Sequence, residues 1–235
     1  MRIGIMQPYF MPYIGYILIL NYVDKFIILD DVQFMRHGWI ERNRILKPNE
    51  GWQYFNVPLK KHHQKDLIRD IQINNDIDWK NKIISQLVHY KNAPHYKDVI
   101  ALINSIFEYE YTTITELNIK SLKAVCNYLD IKTEIELFSD MGIEIDAVKS
   151  ADEWALNICK AIDKNSEYIN PPGGSEFFDR EKYKSAGINL SFLKPKLMEY
   201  NQKRKIFEPG LSIIDVMMFN SKEEIRNMLN EYEFI

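Results

Sequence analysis

Two short apolar runs near the amino terminus are separated by the length of one helix. Arg2–Met6 and residues 25–29 each have the pattern of a buried strand. Residues 12–23 between them are apolar on almost every side and begin with Pro12, which suits the first turn of a helix. Because such a crossover is right-handed, we expect the two strands to be parallel. This βαβ unit restricts the chain to an α/β fold with a mostly parallel sheet.

Polar residues follow both of these strands. Gln7 and Tyr9 come directly after the first strand, and Asp30 and Asp31 after the second. Parallel strands direct their carboxyl ends toward one crevice, so we expect these four side chains to share a cleft. The catalytic candidates are therefore Asp30, Asp31 and His37. The candidates for substrate binding in this part of the chain are Gln7, Tyr9, Tyr16, Gln33, Trp39, Arg42, Asn43 and Arg44. The competing interpretation is that the aspartates only form a turn and that the two arginines lie on a solvated strand face.

Residues 167–178 contain a second candidate binding segment, a short predicted strand followed by Pro-Pro-Gly-Gly. Gly173 and Gly174 would allow positive φ or a close approach of the backbone to a ligand. A helix expected to begin near Ser175 would direct its first N–H groups to the same space, which is suited to a phosphate. The alternative is an ordinary tight turn.

The remaining pattern predicts a helix-rich middle and C-terminal helices. Further strands are expected at 52–57, 67–73, 132–138 and 188–193. Helices are expected to begin near Asp76 or Asp78, and near Thr113, Ser150 and Ser221. The last helical region is expected at 211–232. We expect a single domain over residues 1–235, which is sheet-rich to residue 75, helical from 76 to 130 and mixed from 131 onward.

Composition excludes several classes of protein. The formal net charge of −3 argues against a nucleic-acid partner, which would require a basic excess. The apolar run 14–29 is interrupted by polar and charged residues, so we expect no transmembrane segment. Cys126 and Cys159 lack metal-like spacing and are expected to be reduced core residues, as in a cytoplasmic protein. The zinc, P-loop and dinucleotide signatures are absent from the sequence, so we expect no metal site and no permanently bound cofactor.

Several motifs carry a resemblance to a known family. The runs MQPYFMPYIGY, VDKFIILDDVQF and GWIERNRI closely resemble the N-terminal signature of the WbqC-like family of bacterial proteins. Asp78-Trp79-Lys80, Tyr168-Ile169-Asn170 and the run FEPGLSIID are similar to motifs of the same family. The resemblance covers nearly the whole chain. One departure is Glu41, which stands where the family often has asparagine.

The resemblance implies a substrate class. Members of the family are often encoded in gene clusters for lipopolysaccharide O-antigen synthesis and are described as glycyl or other acyl transferases acting on amino sugars. The expected partner is therefore a nucleotide-linked amino sugar, with an activated acyl or aminoacyl donor as co-substrate. The protein could also form a homodimer. For this chemistry Asp30 or Asp31 would be the base, with His37 a weaker candidate, while Arg42 and Arg44 would clamp a phosphate.

Two other functions remain open at this point. Tyr13-Ile14-Gly15-Tyr16 occupies the place where nucleotidyl-transferring enzymes of the HUP class carry H-x-G-H, so an adenylate-forming enzyme is one alternative. The other is a protein that binds sugar nucleotides or glycans without catalysis, consistent with the many Trp and Tyr residues.

Overall fold

The computed structural model describes residues 1–63 and 65–235. The strands are β1 (Arg2–Met6), β2 (Lys25–Ile28), β3 (Arg42–Leu46), β4 (Trp52–Asn56), β5 (Glu134–Leu137), β6 (Glu167–Asn170), β7 (Asn189–Pro195) and β8 (Tyr232–Phe234). The α-helices are α1 (Ile14–Tyr22), α2 (Trp79–Leu87), α3 (Tyr96–Phe107), α4 (Ile114–Leu129), α5 (Glu153–Ile162), α6 (Arg180–Ser185), α7 (Ile213–Phe219) and α8 (Lys222–Met228). Short 3-10 helices lie at Ile68–Asp70, Val88–Asn92, Phe138–Asp140 and Pro172–Phe177.

The main sheet has six strands in the order β5-β2-β1-β6-β7-β8. All neighbours in it are parallel except β8, which runs antiparallel to β7. The strands β3 and β4 form a separate antiparallel hairpin. These findings confirm the α/β class, the mostly parallel sheet and the helices in the middle and at the carboxyl terminus.

The amino-terminal βαβ unit is confirmed. The strand β1 pairs in parallel with β2, from Ile3 opposite Lys25 to Met6 opposite Ile28. On one face of the sheet Phe26 of β2 belongs to the same core as the α1 side chains. Gly4 lets β1 lie close to both elements, since a Cβ there would lie 3.0 Å from the Phe26 ring and 3.4 Å from Ile19 of α1. The opposite face packs Ile3, Ile5 and Ile27 against residues of α5 and α6.

Capping residues define several helix starts as expected. Thr113 and Ser221 each form a complete capping box, at α4 and α8, and the Asp78 side chain caps α2. The predicted start at Ser150 is wrong, because α5 begins at Glu153 after Asp152. The Glu153 carboxylate instead accepts a hydrogen bond from the backbone N–H of Lys149, before the helix.

Two other expectations about elements are wrong. Residues 67–73 form a 3-10 turn and isolated bridges instead of a strand, since a turn buries Ile68, Ile71 and Ile73 together. The predicted helices at 211–232 end earlier, and Tyr232–Phe234 becomes the antiparallel edge strand β8.

Other structural features follow the sequence more closely. Cys126 and Cys159 are buried and unpaired, as expected. In the described part of the chain, no helix has the length and apolar character needed to cross a membrane.

Candidate functional site

The order of strands reverses at β1. From β1 the chain passes through α1 to β2 on one side, whereas β6 lies on the other side and follows α5, which covers the opposite face of the sheet. In open parallel sheets, ligands bind outside the carboxyl ends of the strands at such a reversal. A cavity of about 760 Å³ lies there, lined by Gln7 after β1 and by Asn170 at the end of β6.

The cavity combines aromatic walls with a few polar groups. Its aromatic lining residues are Tyr9, Tyr13, Trp39, Trp154, Tyr168 and Phe178. Its polar side chains, apart from the tyrosines, are Gln7, Asn43, Arg44 and Asn170. Within the part of the chain that the structure describes, the lining includes no Asp, Glu, His, Cys, Ser or Thr. The cavity therefore offers stacking surfaces, amides and a cation, but no carboxylate, imidazole or thiol.

The cation is Arg44 of β3. Its guanidinium carbon lies 5.4 Å from the ring centroid of Trp39 and 5.0 Å from that of Trp52, so the group is held against two indoles. Its Nη2 donates to the carbonyl of Gly210 at 3.0 Å. Its Nε is buried and has no hydrogen-bond partner among the residues that the structure describes, which costs about 1–3 kcal/mol. Reorientation of the guanidinium toward an anionic ligand would remove this cost.

Two buried polar residues, Asn43 and Ser212, hold Arg44 in place. The side chain of Asn43 donates to the carbonyl of Phe10 at 3.1 Å and accepts from the backbone N–H of Arg44 at 2.8 Å. The backbone N–H of Ser212 donates to the Arg44 carbonyl at 2.9 Å, and the Ser212 hydroxyl donates to the Met11 carbonyl at 2.6 Å. Three distant parts of the chain are thereby joined at one wall of the cavity.

The loop between β1 and α1 presents polar groups that are not engaged elsewhere. No described residue forms a hydrogen bond with the side chain of Gln7 or with the hydroxyls of Tyr9 and Tyr13. Burial raises the pKa of Tyr9 and of Tyr13, so both hydroxyls are neutral at physiological pH. Gly15 makes room for the Tyr13 ring, because a Cβ there would lie 2.4 Å from a ring carbon. These groups are placed to bind hydroxyl or amide groups of a ligand.

Gly173 and Gly174 also line the cavity. Neither glycine has positive φ, and the segment is a 3-10 helix instead of an α-helix starting near Ser175. A Cβ on Gly174 would lie 3.2 Å from Phe178 and 3.4 Å from the Asn170 amide nitrogen, whereas one on Gly173 would meet nothing within 4 Å. Gly174 is thus needed for close packing, and Gly173 leaves open space.

The expected placement of the aspartates beside Gln7 and Tyr9 is wrong. Asp30 is 1% exposed and accepts hydrogen bonds from the backbone and hydroxyl of Ser139, at 3.1 and 2.7 Å. Burial raises the pKa of Asp30. Asp31 forms an ion pair with Arg69 at 2.9 Å. Neither carboxylate lines the cavity, because the reversal of strand order lies between β1 and β6 and not between β1 and β2.

Four further candidates lie outside the cavity. His37 is exposed with φ of 65°, and its carbonyl accepts a hydrogen bond from Arg42. Arg42 stacks on the Tyr54 ring at 4.3 Å and does not line the cavity. Gln33 is exposed, near the surface of a different hollow. Tyr16 is buried, and its hydroxyl donates to the Gln7 carbonyl at 2.9 Å, so it positions Gln7 from behind.

The sequence interpretation missed several residues that complete the cavity. Trp154 comes from α5, Tyr168 from β6, and Gly210 from the approach to α7. Tyr168 also donates from its hydroxyl to Asn170 Oδ1 at 2.9 Å, which orients that amide. The available signal was the end of β6, since this strand closes with Asn170 and is followed by the Pro-Pro-Gly-Gly run, much as β1 is followed by Gln7.

Comparisons with known proteins agree with the motifs. The profile of the WbqC-like protein family matches residues 7–227. An uncharacterized protein of Mycobacterium tuberculosis (strain ATCC 25618 / H37Rv), Rv1507c, is 30% identical over 234 residues, which cover 97% of each chain. No solved structure matches the chain.

Proposed function

The chain belongs to the WbqC-like protein family, and from this premise we propose that it is a transferase acting on a nucleotide-linked amino sugar. The reaction forms an amide by moving an acyl, glycyl or other aminoacyl group from an activated donor to the sugar's amino group. The product serves the synthesis of O-antigen or another surface polysaccharide. The enzyme acts in the cytoplasm, in keeping with two buried, unpaired cysteines.

The observation that carries the proposal is Arg44, the one cationic side chain among the described residues that line an aromatic cavity at the reversal of strand order. Sheets that bind nucleotides place the phosphates at this position. A guanidinium binds phosphate oxygens through paired N–H donors, and Arg44 retains free donors beside the Gly210 contact. The Trp39 ring beside it offers a face for stacking.

The amide groups of the cavity support the transfer step. The Gln7 and Asn170 side chains lie at the ends of the two central strands. The Asn170 amide donates one N–H to the Pro171 carbonyl at 3.3 Å, so its second N–H and the amide of Gln7 are the donors for a developing oxyanion. Among the described residues, the lining has no thiol or hydroxyl nucleophile other than the neutral tyrosines. We therefore propose direct attack by the neutral amine on the donor's carbonyl carbon, with loss of the donor's leaving group and release of the amine proton to solvent.

Ligand affinity tests this proposal with a matched pair of variants. Arg44→Lys keeps the charge but loses the planar fork, so affinity for a nucleotide amino sugar such as UDP-glucosamine should fall about 10- to 100-fold. Arg42→Lys is the control. Arg42 lies on the same face of the same strand as Arg44 and also stacks on an aromatic ring, but it does not line the cavity. It should bind with nearly wild-type affinity. Calorimetry in which both variants lose affinity equally, or in which the wild type binds no nucleotide amino sugar, would refute the assignment.

The absence of a carboxylate, imidazole or thiol from the described lining favours a second candidate. A protein that binds sugar nucleotides without catalysis needs only recognition groups. Tight binding with no amide product, when acyl and aminoacyl donors are each supplied, would distinguish it from the transferase.

The strand order favours a third candidate, the adenylate-forming or nucleotidyl-transferring enzyme. The parallel strands are arranged as in nucleotide-binding sheets, and Tyr13 and Gly15 lie at the start of α1 beside the cavity. Its signature would be consumption of ATP with release of pyrophosphate, which direct acyl transfer does not produce.

A further inference from the structure

The connecting segment, residues 196–211 between β7 and α7, is unusually long for a stretch without helix or strand. Loops longer than about 12–15 residues are uncommon in compact domains unless they have a function. The segment begins at the carboxyl end of β7 and includes Gly210, which lines the cavity. Its position is therefore at the same edge of the sheet as the candidate site.

The connecting segment exposes large apolar side chains. Leu197, Met198 and Ile206 are 42%, 49% and 69% exposed. Leu197, Met198 and Phe207 border one small hollow, and the Phe207 and Tyr200 rings are 5.1 Å apart. The two ends of the segment are thus close in space at Phe207, and Ile206, the next residue back, borders a neighbouring hollow together with Lys205. Clustered exposed apolar groups of this kind mark an interaction surface.

The same surface is basic in a chain whose net charge is −3. Residues 194–208 carry five cationic side chains, at Lys194, Lys196, Lys203, Arg204 and Lys205, and two carboxylates, at Glu199 and Glu208. Lys194 pairs with Glu233 at 2.9 Å. Lys196 and Lys205 are exposed and form no ion pair with any residue that the structure describes. These two lysines directly precede Leu197 and Ile206 in the chain, with Glu233 near Lys196 and with Glu50 and Glu208 in the hollow that Lys205 borders.

We propose that the connecting segment docks the protein onto an anionic lipid surface. Leu197, Met198 and Ile206 insert among the headgroups, while Lys196 and Lys205 bind lipid phosphates. Lysine suits this role because its long apolar stem lies along the acyl boundary while the ammonium stays with the phosphates. Irregular backbone that carries isolated apolar side chains between lysines matches a lipid interface better than the flat apolar face of a protein complex. Docking in this way brings the Gly210 rim of the cavity close to the membrane.

Vesicle sedimentation of the full-length chain tests the proposal independently of any enzymatic activity. The protein should sediment with vesicles of phosphatidylcholine mixed with phosphatidylglycerol, and remain in the supernatant with phosphatidylcholine alone. The double variant Lys196→Gln/Lys205→Gln should bind on the order of 10-fold more weakly, since each lysine contributes substantially at an anionic surface. Ile206→Ser should also weaken binding, through loss of the inserted side chain.

A charge-matched control is available at the opposite edge of the sheet. Lys164 and Lys184 are exposed, form no ion pair with a described residue, and precede the amino ends of β6 and β7. The double variant Lys164→Gln/Lys184→Gln changes the net charge equally and should leave vesicle binding unchanged. Equal loss in both double variants would show a general charge effect and overturn the docking site. Absence of sedimentation with the anionic vesicles would overturn the proposal itself.

Discussion

The Tyr90 hydroxyl provides a sensitive test of the buried network behind the cavity. It donates to Asp215 Oδ1 at 2.7 Å and accepts from the backbone N–H of Leu46 at 2.8 Å. Asp215 and Leu46 are 0% and 1% exposed, so neither partner can turn to solvent. The same carboxylate holds Gln202, whose side chain binds both the N–H and the carbonyl of Glu208. The network therefore fixes the approach to Gly210 and, through it, Arg44.

The cost of Tyr90→Phe follows from these contacts. Loss of a hydrogen bond to a charged group costs about 1.5–3 kcal/mol, and a buried N–H left without a partner costs about 1–3 kcal/mol. The free energy of unfolding should therefore fall by about 2.5–6 kcal/mol. Tyr200→Phe is the matched control. Its hydroxyl donates to Asp215 Oδ2 at 2.6 Å, but that oxygen keeps the Gln202 amide at 2.9 Å and no backbone group is orphaned. The expected loss there is about 1.5–3 kcal/mol, without the added cost of an orphaned backbone N–H.

Urea denaturation followed by tryptophan fluorescence measures both losses, with the slope m used to check that unfolding stays two-state. A difference between the variants of at least about 1 kcal/mol is expected from the orphaned N–H. Equal losses would refute the assignment of the Leu46 N–H to Tyr90. A double variant that loses less than the sum of the two single losses would place both tyrosines in one coupled network.

Two further predictions concern Asp215 and Gly15. Burial raises the pKa of Asp215 above its ordinary value of 3.8, so the stability that this group contributes is present below pH 3.8 and is lost as pH rises through the raised pKa. The free energy of unfolding of the wild type, relative to that of Asp215→Asn, should therefore fall across that pH range when both are measured by urea denaturation at a series of pH values. A difference that stays constant with pH would contradict this prediction. Gly15→Ala should keep or slightly raise the melting temperature, because alanine favours a helix by up to about 1 kcal/mol, yet it should displace the Tyr13 ring, whose outer atoms lie 2.4–2.5 Å from the added Cβ. Unchanged affinity for a nucleotide amino sugar in that variant would remove Tyr13 from the binding wall.

The candidate site shows where strand-end reasoning works and where it fails. Gln7, Tyr9, Gly173 and Gly174 were expected from their places after strands, and all four line the cavity. Asp31 satisfied the same rule and lies outside it. Ligands bind between the two strands at which the strand order reverses, and not beyond every strand end. Here those two strands are β1 and β6, and β6 is distant from β1 in the sequence.

Arg42 and Arg44 make the same point within one strand. They share a face of the β3–β4 hairpin and stack on Tyr54 and Trp52 in turn. Their spacing makes them equivalent in the sequence. Only the approach of Gly210 and Ser212, which come from a remote segment, encloses Arg44 in the cavity and leaves Arg42 outside.

The sequence by itself determined the features that depend on neighbouring residues. The β1-α1-β2 unit and the capping boxes at Thr113 and Ser221 follow from periodicity and from hydrogen bonds that span three or four positions. Tertiary structure alone decided that β6 lies beside β1, that β8 closes the edge of the sheet, and that the cavity encloses Arg44 without Asp30 or Asp31. These outcomes depend on which distant surfaces bury each other, a free energy shared by many residues that no short stretch of the chain encodes.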